Sequence, residues 1–178
     1  MKIAKTNPRI QIRRALATDA AAIARVLHQS FLEYQAFYTA AALAFTAPSA
    51  DQIQQRMKEG PVWVALQLDG VVGTVSVVAN DDGLYVRSMA VLPSARRLGI
   101  GWALLTEVES FAAAEGHRRL FLSTTPFLDT AIRLYEGFGF RRSDEGPHEL
   151  FGTPLFTMVK NLEEKRAQPQ ARGRRGRD

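Results

Sequence analysis

Apolar and polar residues alternate through Ile10-Gln11-Ile12-Arg13-Arg14-Ala15, the two-residue period of a strand with one buried face. After Thr18 and Asp19, either of which can cap a helix, the period changes, and Ile23, Val26, Leu27 and Phe31 recur at helical spacing. A second helix is predicted from the Ser49/Asp51 capping region to about Glu59, where Gly60-Pro61 ends it. The alanine- and aromatic-rich segment 33–47 between these helices shows neither period. Residues 62–68 and 71–78 are β-branched runs joined by Asp69-Gly70, a hairpin signal, and Asn80-Asp81-Asp82-Gly83 turns the chain into a strand over 84–92. A helix over about 100–115, a strand over 119–124, a helix over about 128–137 and strands over 140–143 and 155–160 follow. Three antiparallel strands thus precede the first long helix of the second half. This is mixed α/β, of the α+β kind, and not an alternating doubly wound sheet.

At 178 residues the chain suits one domain with a sizeable core, assigned to 1–160. It has no cysteine, which removes disulfides, thiolate metal sites and a cysteine nucleophile together. His28, His117 and His148 are isolated in sequence, so no metal is expected. No apolar run follows Met1-Lys2 and no stretch approaches the length of a membrane span, so a soluble, cytoplasmic protein with no membrane partner is expected. The net charge is +5, but six of the 23 Lys/Arg and three of the 18 acids fall in 161–178. Much of the excess therefore lies in a basic tail with no apolar pattern, expected to be disordered, while the domain itself is no evident nucleic-acid binder.

The junction Val91-Leu92-Pro93-Ser94-Ala95-Arg96-Arg97-Leu98-Gly99-Ile100-Gly101 carries the clearest chemistry. A strand ends, a proline turns the chain, and an arginine pair stands beside two glycines at the start of an amphipathic helix. Glycines let main-chain N–H groups approach a ligand, and a helix N-terminus adds partial positive charge, so a phosphate-bearing cofactor is implied. A P-loop is excluded because Ile100, Gly101 and Trp102 stand where Gly-Lys-Ser/Thr would be required. A dinucleotide fingerprint is excluded by Leu104 at its third small position and by the absence of an acid in 119–124. No Gly-x-Ser-x-Gly elbow occurs, which disfavours a serine hydrolase.

The pattern Arg96-x-x-Gly99-x-Gly101 after Met89-Ala90-Val91-x-Pro93 resembles the acetyl-coenzyme A signature of the GNAT superfamily of N-acetyltransferases. A second block, Leu134-Tyr135-Glu136-Gly137-Phe138-Gly139-Phe140, is similar to that family's Leu-Tyr-x-x-x-Gly-Phe helix–strand junction. The resemblance implies a central, mostly antiparallel seven-stranded sheet, flanked by about four helices and splayed between its fourth and fifth strands. It implies acetyl-CoA as co-substrate, its pantetheine arm pairing with the backbone of Met89, Ala90 and Val91. The pyrophosphate would lie against Arg96, Arg97, Leu98, Gly99, Ile100, Gly101 and Trp102. By the same resemblance Tyr135 is the proton donor to the departing sulfur. A phenol of pKa about 10 giving its proton to a thiolate whose thiol has pKa about 8.5 works uphill by roughly 2 kcal/mol. Tyr135 therefore needs a lowered pKa or acts by hydrogen bonding to developing charge.

Where many members carry a basic glutamate this chain has Tyr85, so that role does not transfer; Glu33, His28 and His148 are candidate helpers. The family's asparagine near the penultimate helix is also missing, with Thr124 or Thr125 in its region. The resemblance places the acceptor beside segment 33–47 and the loop before the last strand, which bring Phe31, Tyr34, Phe37, Tyr38, Phe45, His148, Phe151 and Phe156. Glu33 and Glu149 suit a cationic acceptor and Arg87 a carboxylate, so the acceptor, a small-molecule or peptide amine, stays open. Direct attack of that amine in a ternary complex is the expected reaction. The alternatives are a non-catalytic acyl-CoA sensor, favoured by the missing glutamate and opposed by Tyr135, and a protein touching RNA or ribosomes through its tail. A homodimer is left open.

Overall fold

A computed structural model describes residues 9–68 and 70–163. The strands are β1 (Ile10–Arg14), β2 (Val62–Gln67), β3 (Gly70–Asn80), β4 (Gly83–Val91), β5 (Arg119–Thr124), β6 (Arg141–Ser143), β7 (Glu149–Leu150), β8 (Thr153–Pro154) and β9 (Phe156–Asn161). Seven of them form one sheet in the order β1-β2-β3-β4-β5-β9-β6, and β7 with β8 makes a separate two-stranded ribbon. Every neighbour in the large sheet is antiparallel except β4 and β5. That parallel pair is joined only at Leu84 with Leu120 and Tyr85 with Phe121. Beyond Tyr85 the two strands part, so the expected splay between the fourth and fifth strands is present. The hairpin residue Asp69 lies outside the described residues; the strands it joins are in register, Gln67 opposite Gly70.

Helices α1 (Ala20–Leu32), α2 (Ala40–Thr46), α3 (Ala50–Arg56), α4 (Ile100–Ala114) and α5 (Asp129–Phe138) cover the sheet. The helix count expected from the resemblance was about four, and the structure has five among the described residues. The extra one, α2, arises inside segment 33–47. Thr39 caps it, its hydroxyl accepting the Ala42 N–H at 3.2 Å, while an almost wholly apolar run of seven residues shows no period to read. Helix α3 ends at Arg56 rather than Glu59, and the remaining residues continue as turns closed by Lys58 N–H to Gln55 O and Glu59 N–H to Arg56 O, each 3.0 Å. Of the tail expected from Asn161 onward, Asn161 is the last residue of β9, and 164–178 lie outside the described residues.

Strand β2 shows why the sheet holds two layers. Trp63 and Ala65 enter one cluster with Ile100, Leu104, Leu105 and Val108 of α4, whereas Val62 and Val64 enter the other with Ile23, Val26 and Leu27 of α1. Successive side chains point to opposite faces, so a continuous apolar run marks a strand buried on both sides.

Asp19 fixes where α1 begins. Its carboxylate accepts the Leu16 N–H at 2.7 Å and two bonds from the Arg13 guanidinium at 2.7 and 3.1 Å, tying β1 to the short 3-10 turn that leads into the helix. The Arg13 bonds chiefly hold this carboxyl below its ordinary value; burial opposes them and the Leu16 bond adds to them. A depressed folded-state value means stability that is present above the unfolded value of about 3.9 and lost as pH falls through the folded one. Asp19→Ala is expected to cost about 1–3 kcal/mol in urea denaturation at pH 7. The deficit should shrink as the pH is lowered below 4; a difference independent of pH would rule out this contribution.

Candidate active site

Helix α4 starts directly behind the glycine loop, after the 3-10 turn Pro93–Ala95 that follows β4. Its first intrahelical bond runs from Ala103 N–H to Gly99 O at 3.0 Å, and no side chain caps the end. The amides of Ile100, Gly101 and Trp102 are therefore left without an intrahelical acceptor, which is the donor set an anion requires. The two glycines serve different ends. Gly99 takes a left-handed conformation (φ 76°), and a Cβ built there would meet nothing within 4 Å. A Cβ on Gly101 would sit 2.6 Å from Leu134 Cδ2, so this glycine lets α4 approach α5 closely. Only the first leaves open space above the helix end. Arg97 and Leu98 are exposed, Arg97 at φ 67°, and half-exposed Trp102 lays its edge on Phe138 at 4.9 Å between centroids.

Arg96 is turned differently from its neighbours. It forms an ion pair with Glu33 and donates to Ser30 O at 3.3 Å, both at the C-terminal end of α1. Ser30 in turn donates to Val91 O at 3.1 Å. The loop is thereby fastened to α1, and Glu33 is occupied in that fastening. On β4, Ala90 is buried in the α1 cluster while Met89 and Val91 are half-buried against the α4 cluster. No strand lies against the main chain of β4 past Tyr85 on its β5 side among the described residues. This unpaired edge and the three free amides are a consecutive strand and helix end, which fits an extended arm ending in a diphosphate.

Tyr135 belongs to α5. It is buried at 8% exposure, its ring against Phe140, and its hydroxyl makes no hydrogen bond to a described residue. Burial chiefly, and then the nearby phenols of Tyr38 and Tyr85, push its pKa well above the ordinary tyrosine value. Three phenols from α5, β4 and the α1–α2 connection are thus neighbours. Tyr38 is itself pushed up by burial, partly offset by the neighbouring Thr125 hydroxyl, which nonetheless is buried without a well-formed hydrogen bond. Thr124 is buried too.

The α1–α2 connection closes over this centre through Phe127, which precedes α5. Phe37 stacks on it at 5.3 Å, Tyr38 meets it edge-on at 5.0 Å, and Tyr34 lies at 6.2 Å. Thr39 ties the same segment to the ribbon, its N–H donating to Thr153 Oγ1 at 3.0 Å and its hydroxyl to Phe151 O at 2.8 Å. Phe45 of α2 contacts Phe151 at 6.0 Å. The two segments expected to flank an acceptor are therefore joined to each other. Phe156 instead lies in the core beneath Arg142, and Glu149 and His148 are exposed on or beside the ribbon. His28 is exposed on α1, and Tyr85 places its ring against Phe121 at 5.1 Å. Among the described residues no group of three His, Cys, Asp or Glu is placed to hold a metal, and no helix is long and apolar enough to cross a membrane.

Arg87 lies two residues beyond Tyr85 on β4, in contact with Glu59 at 2.6 Å. Beside it stands Arg56, the last residue of α3, which the sequence reading did not single out. A basic residue in a helix's last turn normally serves the helix dipole, so no signal marked it. Phe127, a single aromatic residue in the loop before α5, likewise carries no signal in the sequence.

The Acetyltransferase (GNAT) family model matches residues 27–140. A protein of Escherichia coli K12, described as the uncharacterized N-acetyltransferase YjgM, is 32% identical over 143 residues, covering 75% of this chain and 83% of that one. Camello of Xenopus laevis, described as a probable N-acetyltransferase, is 35% identical over 85 residues, and that stretch is 46% of this chain but only 38% of the relative. Among solved structures, the PaiA N-acetyltransferase of Thermoplasma acidophilum in complex with coenzyme A superposes with a TM-score of 0.73. At 18% identity, over 86% of this chain and 99% of that one, this likeness shows a shared fold.

Proposed function

The chain belongs to the acetyltransferase (GNAT) family, and from that premise we propose that it transfers the acetyl group of acetyl-CoA to a primary amine by direct attack within a ternary complex. The observation that carries this reading is the helix end at Gly99. Its three unshared amides lie at the end of a strand whose outer edge is open, so one elongated acyl carrier can satisfy both. Acetyl-CoA supplies an acyl carbon already activated as a thioester. Arg97 and the amides of Ile100, Gly101 and Trp102 hold the diphosphate, and the backbone of Met89 to Val91 aligns the arm.

The acceptor nitrogen, as free base, forms the new C–N bond while the C–S bond breaks. The sulfur leaves as a thiolate, and the proton shed by nitrogen balances the one that the thiolate takes up. Tyr135, raised rather than lowered in pKa, is a poor donor of a whole proton and a good donor of a hydrogen bond. Its role is to stabilise charge developing on sulfur. Glu33 is paired with Arg96 and no carboxylate replaces the glutamate at Tyr85, so the amine must arrive deprotonated. A peptide α-amine of pKa about 7.7–8.0 meets that condition far more readily than an alkylamine at about 10.4, with a free amino acid between them.

Thiol release from acetyl-CoA should be followed with purified protein across amino acids, small amines, polyamines and peptide N-termini. Release that depends on one acceptor class, with the matching N-acetyl product by mass spectrometry, is the expected result. Tight acetyl-CoA binding without release for any of them would leave the sensor reading standing instead.

A further inference from the structure

Two guanidinium groups converge on the acceptor side of β4, with one carboxylate between them. Arg87 touches Glu59 through Nη2 at 2.6 Å, and the same nitrogen reaches Arg56 O at 3.5 Å. Its Nε is buried with no hydrogen-bond partner. Arg56 donates to Phe45 O at 2.9 Å and lies over the Phe45 ring at 4.7 Å. Burial chiefly, and then Arg87, hold the Arg56 guanidinium below its ordinary value, against the pull of Glu59 and Tyr85. Positive charge here is thus packed more densely than its neutralising partner, and a buried donor is left unmet. Both are costly unless an anion completes the site.

The backbone confirms that this place is shaped. A register shift between β3 and β4 sets Ser88 at φ 50°, in the left-handed region, directly after Arg87. Ser76 holds the bulge by donating to Arg87 O at 3.1 Å, and the Ser88 hydroxyl comes within 3.5 Å of Arg56 Nη1. Such strain persists where the surroundings over-determine it, often at binding sites. The cluster also adjoins the reacting centre. Tyr85 is close enough to act on both Tyr135 and Arg56, and one strand repeat, about 6.8 Å, separates Tyr85 from Arg87. An acceptor reaching from one to the other carries its amine and its anion a few bonds apart.

We propose that Arg87 and Arg56 form a carboxylate-binding subsite, and that the acceptor is a small amine bearing a carboxylate, of the amino-acid class. The Arg87 guanidinium and the face of Arg56 not covered by Phe45 receive the carboxylate, while Glu59 positions Arg87 and competes for it. The inference rests on the acetyl transfer proposed above and specifies its acceptor.

The test compares each amino acid with its own carboxamide in the thiol-release assay, with kcat/KM expressed per free, deprotonated amine because the neighbouring carboxylate raises the ammonium pKa of the acid. The acid is expected to exceed the amide in kcat/KM by about 10- to 150-fold, the span of one charge-assisted bond. Arg87→Gln should erase most of that gap through KM, so that acid and amide are used with similar kcat/KM. Glu59→Gln separates this from a merely structural ion pair. If Arg87 only anchors α3, both variants lose activity alike; if it binds substrate, Glu59→Gln lowers KM for the acid. Equal use of acid and amide by the wild type, or parallel losses in the two variants, overturns the proposal. Should no amine release thiol, acetyl transfer itself has failed, and ligand-observed NMR with CoA present still decides this subsite. N-acetyl amino acids must then bind better than their amides, and lose that preference in Arg87→Gln. Absence of the preference overturns the subsite.

Discussion

Tyr135→Phe is expected to lower kcat by about 100-fold or more while leaving acetyl-CoA affinity and folding nearly unchanged, because under the proposed mechanism it removes a donor to charge that exists only during reaction. The hydroxyl makes no hydrogen bond to a described residue, so its loss orphans no partner. The ring, held against Phe140 in the core cluster, stays where it is. Stability should therefore shift by less than about 1 kcal/mol. The raised phenol pKa adds a second readout. The group stays protonated beyond the ordinary tyrosine value of about 10, so wild-type kcat/KM should rise as the amine deprotonates and then hold its plateau up to that pH. Unchanged turnover in the variant, or a wild-type descending limb well below pH 10 attributable to Tyr135, would remove the residue from the reaction.

Gly99→Asp should weaken acetyl-CoA binding by about 100-fold, measured by calorimetry, with the protein still folded. Space is open around this position, so no neighbour has to move. Asp and Asn are the non-glycine residues that best tolerate the left-handed conformation, and both are favoured caps at a helix N-terminus. The carboxylate, however, stands where the diphosphate must sit. Two like charges about 4 Å apart repel by about 4 kcal/mol at an effective dielectric of 20, less when salt screens them. Gly99→Asn has the same shape without the charge and should lose much less. A Kd for Gly99→Asp equal to that of Gly99→Asn would show that no anion binds at this helix end.

The cofactor half of this site was legible because it is local. Strand, proline, arginines, Gly99 and the start of α4 follow one another within a dozen residues, and the backbone donors they expose depend on chain order alone. The helix that carries Tyr135 was legible for a related reason, as a compact block at the end of α5. The pairing of Arg87 with Arg56 was not. Arg56 and Arg87 are 31 residues apart, and only the packing of α3 beside β4 makes them one cluster. Residues 33–47 hid α2 because a short apolar helix has no polar face to reveal its period, and its cap becomes visible only when Thr39 is docked on the ribbon.

Two residues changed meaning once the chain was folded. Arg96 sits in the loop motif, yet its guanidinium is spent on Glu33 and Ser30, which brace the loop against α1. Gly101 shares the motif with Gly99, yet it answers to Leu134 on another helix. Sequence alone thus determined the order of strands and helices, the free amides at the head of α4 and the family, since each depends on neighbours along the chain. Tertiary structure decided which charged side chains are already paired, which glycine has open space around it and in which direction the Tyr135 pKa is shifted. Those properties depend on desolvation and on partners many residues away, and only folding brings them within reach.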